Sequence, residues 1–330
     1  MKKEEVNAII SLNGMCPSTI KWRLTDDCNY DCSYCIRKSM KWRPHQELEH
    51  YKQDEQNCLD ICLEVARIIK ELPGWVKLDL IGGEPSLLDL HKILEILFKE
   101  CGEKLKRINL TTNMSRSADY YNDLTQLCYS YGSEIGITCS WHSEFVSLKD
   151  FIEKFSKIKS PTNQKGIRIE CVSRLDNQDG IRELIDICEQ NNYTYFIERN
   201  FYVCNAFKDD LICKASKEKK PRYKIITKDN EELLFKTRNE FITSKDCETK
   251  TPSFDCGEYY CSRDYDYVYI DFTQHMGRTI EPEKCNVRQP IENFHPLKEP
   301  RMCSKGLDGK CTLCGQISLS RDIELLRKDK

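Results

Sequence analysis

Between residues 19 and 200 the chain alternates two patterns. Short runs rich in Ile, Leu, Val and aromatics have the composition of strands: Thr19–Leu24, Val76–Ile81, Arg107–Thr111, Glu134–Cys139, Ile167–Val172 and Thr194–Glu198. The longer segments between them carry apolar residues at steps of three or four. Leu59, Cys62, Ala66 and Ile69 share one helical face, and Ile181, Leu184, Ile185 and Cys188 another. Strand and helix in turn are the signature of βα units around a parallel sheet. Six units are too few to close an eight-stranded barrel, so a partial barrel or an open parallel sheet is expected, with loops at the carboxyl ends of the strands building the site.

Past residue 200 the pattern changes. Residues 205–255 are polar, and Lys214, Lys217, Lys219, Lys220, Arg222, Lys224 and Lys228 oppose only Glu218 within their stretch. Two readings fit: a solvated loop with a hairpin, Tyr223–Thr227 and Glu232–Phe235 around an Asp229-Asn230 turn, or a substrate-docking patch. From Cys256 onward cysteines, glycines and turn residues recur, as in a small appendage stapled by metal rather than held by burial. The expected organisation is an N-terminal extension over 1–18, the α/β unit over 19–204, a polar linker over 205–255 and a cysteine-rich domain over 256–330.

Lys and Arg number 51 against 53 Asp and Glu, a formal net charge of −2, which gives no global polyanion-binding surface; nucleic acid is not an expected partner. No apolar run approaches the roughly 18 residues of a membrane span, and no signal-peptide segment follows the opening Met-Lys-Lys-Glu-Glu. The expected location is the cytosol, with no membrane partner. In a reducing compartment the chain's 20 cysteines are left for metal, catalysis or packing rather than disulfides.

Directly after the first barrel strand stands Cys28-Asn29-Tyr30-Asp31-Cys32-Ser33-Tyr34-Cys35. Three thiolates so close in one loop can ligate three irons of a cubane and leave the fourth without a protein ligand, although three cysteines alone also suit zinc. The second strand ends in Gly82-Gly83-Glu84-Pro85, where glycine lets backbone approach a ligand closely and exposed carbonyls can accept from an ammonium; the plainer reading is a tight turn before a helix. The third strand ends in Thr111-Thr112-Asn113 and the fourth runs into Ser140-Trp141-His142-Ser143-Glu144. The fifth is followed by Ser173-Arg174-Leu175-Asp176-Asn177, where Arg174 offers a fork for a carboxylate or is simply a surface arginine. His142 reads as a substrate or supporting group, or as a turn histidine.

The three-cysteine spacing in that loop, with an aromatic before the third cysteine, resembles the radical S-adenosylmethionine (SAM) superfamily. The resemblance covers residues 19–200 with the motifs in the expected order. It implies a partial (β/α)6 barrel whose [4Fe-4S] cluster is held by Cys28, Cys32 and Cys35, with S-adenosylmethionine chelating the open iron. It implies cofactor contacts from Tyr34, Gly82, Gly83, Glu84, Asn113, Ser140 and Arg174. The implied reaction is reductive cleavage to a 5′-deoxyadenosyl radical that abstracts hydrogen from substrate, with a cytosolic donor such as flavodoxin or ferredoxin supplying the electron.

Cys261, Cys285, Cys303, Cys311 and Cys314, with a hairpin-like stretch from Tyr267–Asp271 to Gly277, look like the SPASM and Twitch extensions, which bind auxiliary iron–sulfur clusters. One auxiliary [4Fe-4S] cluster is implied, on Cys261, Cys285, Cys311 and Cys314 with Cys303 as substitute; a zinc site of four cysteines is the competitor. Cys58, Cys62, Cys101, Cys128, Cys139, Cys171 and Cys188 fall on or at the ends of predicted elements and suit core packing. That group of extensions implies a peptide or protein side chain as substrate. Oxidation of a small molecule, a sugar or nucleoside, is the alternative, and a non-catalytic iron–sulfur or zinc scaffold the contrasting class. The 27 residues ahead of the first motif leave no room for an N-terminal peptide-recognition domain, which weakens the peptide reading.

Overall fold

The computed structural model describes residues 6–12, 18–35, 48–159, 166–199, 212, 214–216, 223–235, 259–261, 265, 267–270, 275–281, 284–302 and 319–328. In chain order the strands are β1 (Val6–Ser11), β2 (Ser18–Thr25), β3 (Val76–Gly82), β4 (Leu105–Thr112), β5 (Glu134–Trp141), β6 (Ile167–Ser173), β7 (Tyr195–Arg199), β8 (Tyr223–Thr227), β9 (Glu232–Phe235), β10 (Tyr260–Cys261), β11 (Tyr267–Ile270), β12 (His275–Glu281), β13 (Lys284–Pro290), β14 (Arg301–Met302) and β15 (Leu319–Ser320). The helices are α1 (Leu48–Asp60), α2 (Cys62–Glu71), α3 (Leu90–Cys101), α4 (Ala118–Ser130), α5 (Leu148–Ser156), α6 (Gln178–Gln190) and α7 (Ile323–Lys328).

The fold is α/β, built on a nine-stranded sheet in the order β13-β12-β11-β2-β3-β4-β5-β6-β7. From β11 to β7 every pairing is parallel, the arrangement of a partial barrel. The strands expected at 19–24 through 194–198 are β2 to β7, each displaced by at most a few residues at its ends. β11, which sequence pattern assigns to the cysteine-rich region, joins β2 in parallel with Lys21 opposite Tyr269, and Ile270 pairs with Met276 in the antiparallel turn to β12. A second sheet, β14-β10-β15-β1-β8-β9, joins both ends of the chain: Ala8 lies opposite both Ser320 and Ile226. The β8–β9 hairpin has the expected strands, with Asn230 at positive φ in its turn.

The helices start where side chains cap them. Asp89 accepts from Lys92 N, Ser117 from Tyr120 N and Ser147 from Asp150 N, each satisfying a first-turn N–H. Helix α2 ends at Leu72, held extended ahead of Pro73. One face of the sheet packs on these helices: Ile20, Trp22, Leu24, Leu78, Leu80, Ile108, Leu110, Ile137, Cys139, Trp141 and Ile169 are buried together with Val65, Ile69, Leu94, Leu97, Leu124 and Leu184. Cys58, Cys62, Cys101, Cys128, Cys139, Cys171 and Cys188 are free thiols in this same core.

Strand alternation sends the intervening residues to the opposite face, and those residues are polar. Lys21 and Arg23 lie on β2, Lys77 and Asp79 on β3, Arg107, Asn109 and Thr111 on β4, Thr138 and Ser140 on β5, Arg168 and Glu170 on β6. Hydrogen bonds across the strands establish that they share a face: Asn109 donates to Asp79 at 2.7 Å and Arg168 to Thr138 at 2.9 Å. Among the described residues, no helix is long and apolar enough to cross a membrane.

Candidate functional site

The loop 26–35 leaves the carboxyl end of β2 and is held from below by the turn that ends β3. Gly83 N donates to Thr25 O at 2.8 Å, and Glu84 N donates to Asp27 O at 2.7 Å, the carbonyl just before Cys28. This explains the glycines: a Cβ on Gly82 would stand 2.4 Å from Thr25 O, and one on Gly83 1.9 Å from Asp27 O. The close approach they permit is to the cysteine loop's own backbone, whereas the sequence suggested close approach to a ligand.

Glu84 turns inward. Its buried carboxylate accepts from Thr112 Oγ1 at 2.6 Å, Asn113 N at 2.5 Å and Ser86 N at 3.0 Å, while burial pushes its carboxyl above the ordinary value. It therefore ties the β3 turn to the end of β4 and acts on the loop through others. Asn113, so fixed, extends Nδ2 to Asn29 Oδ1 at 2.9 Å and to Cys28 Sγ at 3.6 Å. Cys28 Sγ also accepts from Tyr30 N at 3.4 Å, and Cys35 N donates to Cys32 O at 3.1 Å, curling the loop.

On the far side the loop is braced by the segments after β5 and β6. His142 Nδ1 lies 3.3 Å from Cys32 Sγ and 2.7 Å from the Tyr34 hydroxyl. Burial lowers the His142 pKa to about 4, so the ring is neutral near pH 7, with the Glu144 charge opposing the shift. Glu144 accepts from Ser33 N at 2.7 Å and from Ser33 Oγ, and it pairs with Arg174. Arg174 also pairs with Asp176 and lies 4.8 Å from the centre of the Tyr34 ring. The fork expected to hold a ligand's carboxylate is thus engaged by Glu144 and Asp176. Tyr30 stacks on Phe145 at 4.7 Å between ring centres. Glu144, to which sequence reasoning assigned no role, is the residue that joins these parts.

Ser140 is half-buried on β5 opposite Glu170, on the polar face, which is helix-free among the described residues. The structure thus brings Cys28, Cys32, Cys35, Tyr34, Gly82, Gly83, Glu84, Asn113 and Arg174 around one loop. Cys261 is buried on β10 of the second sheet and Cys285 lies on β13 of the first. Cys303, Cys311 and Cys314 lie outside the described residues.

The donor set fits an iron–sulfur cluster. Cys28, Cys32 and Cys35 form no disulfide, and the Cys32 thiol is pushed up to about 12 by burial and then by Cys28 and Cys35 beside it. Three thiolates sharing one half-buried loop require cationic charge at their centre, and the N–H groups aimed at Cys28 Sγ suit a metal-bound thiolate. Among the described residues, no three ligating side chains converge as on a single metal ion.

Residues 22–138 match the model of the radical SAM superfamily. A GTP 3′,8-cyclase of Rhizobium leguminosarum is 27% identical over 124 residues, 36% of this chain and 32% of that protein. An S-adenosylmethionine-dependent nucleotide dehydratase of Psychrobacter lutiphocae is 27% identical over 123 residues, 36% of this chain and 39% of the relative. The chain thus matches about a third of the length of these curated relatives. A crystal structure of Streptococcus suis SuiB bound to precursor peptide SuiA covers 85% of this chain and 64% of its own, with 13% identity and a TM-score of 0.33.

Proposed function

We propose that this chain, whose residues 22–138 carry the match to the radical SAM superfamily, is an enzyme that cleaves S-adenosylmethionine reductively and abstracts hydrogen from a bound substrate. The observation that carries the reading is the three-thiol loop, with its sulfurs half-sheltered and N–H donors from Tyr30 and Asn113 directed at Cys28. A cluster held there by Cys28, Cys32 and Cys35, with S-adenosylmethionine bound to it, would supply one-electron reductive cleavage chemistry.

The chain's own residues hold and shelter the site. Cys28, Cys32 and Cys35 are the ligands, Gly82 and Gly83 let the β3 turn dock under them, and Glu84 fixes Asn113. Arg174 and Glu144 clamp Ser33 and cover Tyr34. Ser140, on the helix-free face at the same end of the sheet, is the cofactor contact proposed from β5. The electron comes from a flavodoxin-like or ferredoxin-like donor.

A peptide or protein side chain is the substrate implied by the resemblance of the cysteine-rich region to SPASM and Twitch extensions. A second reading, a polar small molecule, is favoured by the charged lining of the helix-free face and by the nucleotide chemistry in the names of the curated relatives. An auxiliary cluster on Cys261, Cys285, Cys311 and Cys314, with Cys303 as substitute, would accept the second electron of an oxidation. The test is anaerobic reconstitution, reduction and addition of S-adenosylmethionine. 5′-Deoxyadenosine should form, and its absence from iron-loaded, reduced protein would overturn the reading.

A further inference from the structure

A parallel sheet buried on both faces reads as continuous apolar runs, yet β2 alternates strictly, with Ile20, Trp22 and Leu24 toward the helices and Lys21 and Arg23 away from them. The ladder places Lys77 beside Arg107 and Lys21 beside Asp79, so Lys21, Lys77 and Arg107 occupy neighbouring positions on three adjacent strands. Most of these groups have found partners. Lys77 Nζ lies 3.3 Å from Asp79 Oδ2, Asn109 Nδ2 donates to Asp79 Oδ1 at 2.7 Å, and Arg107 reaches Asn109 Oδ1 at 3.1 Å and Glu134 at 3.7 Å.

Lys21 differs. Asp79, the acid whose charge acts on it, already receives a donor at each carboxylate oxygen, and Lys21 makes no hydrogen bond or ion pair among the described residues. Its ammonium is half-buried, and burial holds it below the usual lysine value, with Asp79 opposing and Lys77 and Arg23 reinforcing the shift. A sheltered ammonium whose neighbouring carboxylate is already shared by two other donors is poorly compensated, and the cost is recovered when an anion arrives.

We propose that Lys21, with Lys77 and Arg107 beside it, binds an oxyanion group of the substrate, a phosphate or a carboxylate, on the helix-free face of the sheet. The site deepens the radical-enzyme reading and rests on it for the word substrate. β2 carries Lys21 and runs directly into the cysteine loop, so a molecule anchored here extends along the strand toward the cluster.

The experiment is calorimetric titration of the iron-loaded, SAM-bound protein with inorganic phosphate and, separately, with succinate. One of the two should bind, and the one that does identifies the oxyanion source. Affinity should fall at least tenfold in Lys21→Met and recover to within about threefold in Lys21→Arg, which keeps the charge. Without ligand, Lys21→Met should melt at the same temperature or higher, because it removes a half-buried charge that makes no hydrogen bond or ion pair among the described residues. Failure of both anions to bind, equal affinity in Lys21→Met, or a lowered melting temperature would overturn the proposal, the last by making Lys21 a structural partner of Asp79. Iron content and 5′-deoxyadenosine are read on the same samples. Their absence with anion binding intact would sink the radical-enzyme reading and leave this site standing.

Discussion

Substituting Gly83 by alanine adds one methyl group at a point where three backbone atoms already crowd: Asp27 O at 1.9 Å, Asp27 C at 2.4 Å and Asp26 O at 2.6 Å. To reach ordinary contact the loop must retreat by about 1.5 Å or more, and no rotamer can relieve the clash because every atom is main chain. The retreat breaks two hydrogen bonds, Gly83 N to Thr25 O and Glu84 N to Asp27 O, at about 1 kcal/mol each. Overpacking adds about 1–3 kcal/mol, for a total of about 3–5 kcal/mol against the 5–15 kcal/mol that typically holds a domain. Urea denaturation of the metal-free protein measures this loss. Iron per chain after anaerobic reconstitution should fall with it, because Asp27 leads directly into Cys28. Gly132→Ala is the control: its Cβ meets nothing within 4 Å at a φ of +69°, so it should cost only about 1 kcal/mol and keep its iron. Wild-type stability together with full iron loading in Gly83→Ala would refute the docking argument.

Replacing Cys28, Cys32 and Cys35 together by alanine should remove about four irons per chain and abolish 5′-deoxyadenosine, measured by iron assay and mass spectrometry. A Cys311→Ala, Cys314→Ala variant that stays folded should keep uncoupled 5′-deoxyadenosine and lose product; full product formation would argue for structural zinc or a dispensable region. Glu144 is raised by burial but lowered further by Ser33 and Arg174, leaving it below the ordinary carboxylate range. Its contribution to stability is therefore complete above the unfolded value and fades as pH falls through the lower folded one, so Glu144→Gln should flatten the acid limb of the thermal stability profile. Arg174→Ala should loosen Tyr34 and Ser33 together, read as faster oxidative loss of iron in air, whereas an unchanged half-life would leave the clamp without effect on the loop.

The six barrel strands were legible because each local run carries its own composition, and the cysteine spacing was legible because the three thiols sit within one loop. Pairing between distant segments was not. The stretch at Tyr267–Ile270 reads locally as one arm of a hairpin, which it is, but nothing local announces its parallel register on β2. Arg174 was visible as a charge; its engagement by Glu144 depends on two strand-end loops meeting, and the only signal was opposite charge after neighbouring strands. Gly83 was expected to let backbone approach a ligand; the close approach in the structure is to Asp27, and nothing local names that partner. The strict alternation in β2 is the local sign of a polar face turned away from the described helices.

The second sheet has a consequence for how the chain is made. β1 finds its partners at Tyr223–Thr227 and Leu319–Ser320, so it waits for more than 200 further residues before either edge is satisfied. β2 likewise lacks one neighbour until Tyr267–Ile270 has left the ribosome. Such long loop closures slow folding, and they leave Ala8, Ile9 and Ile10 as an unpaired apolar edge during synthesis, open to association with other nascent chains. Production of this protein should therefore be limited less by the stability of its finished core than by the interval in which β1 stands unpaired.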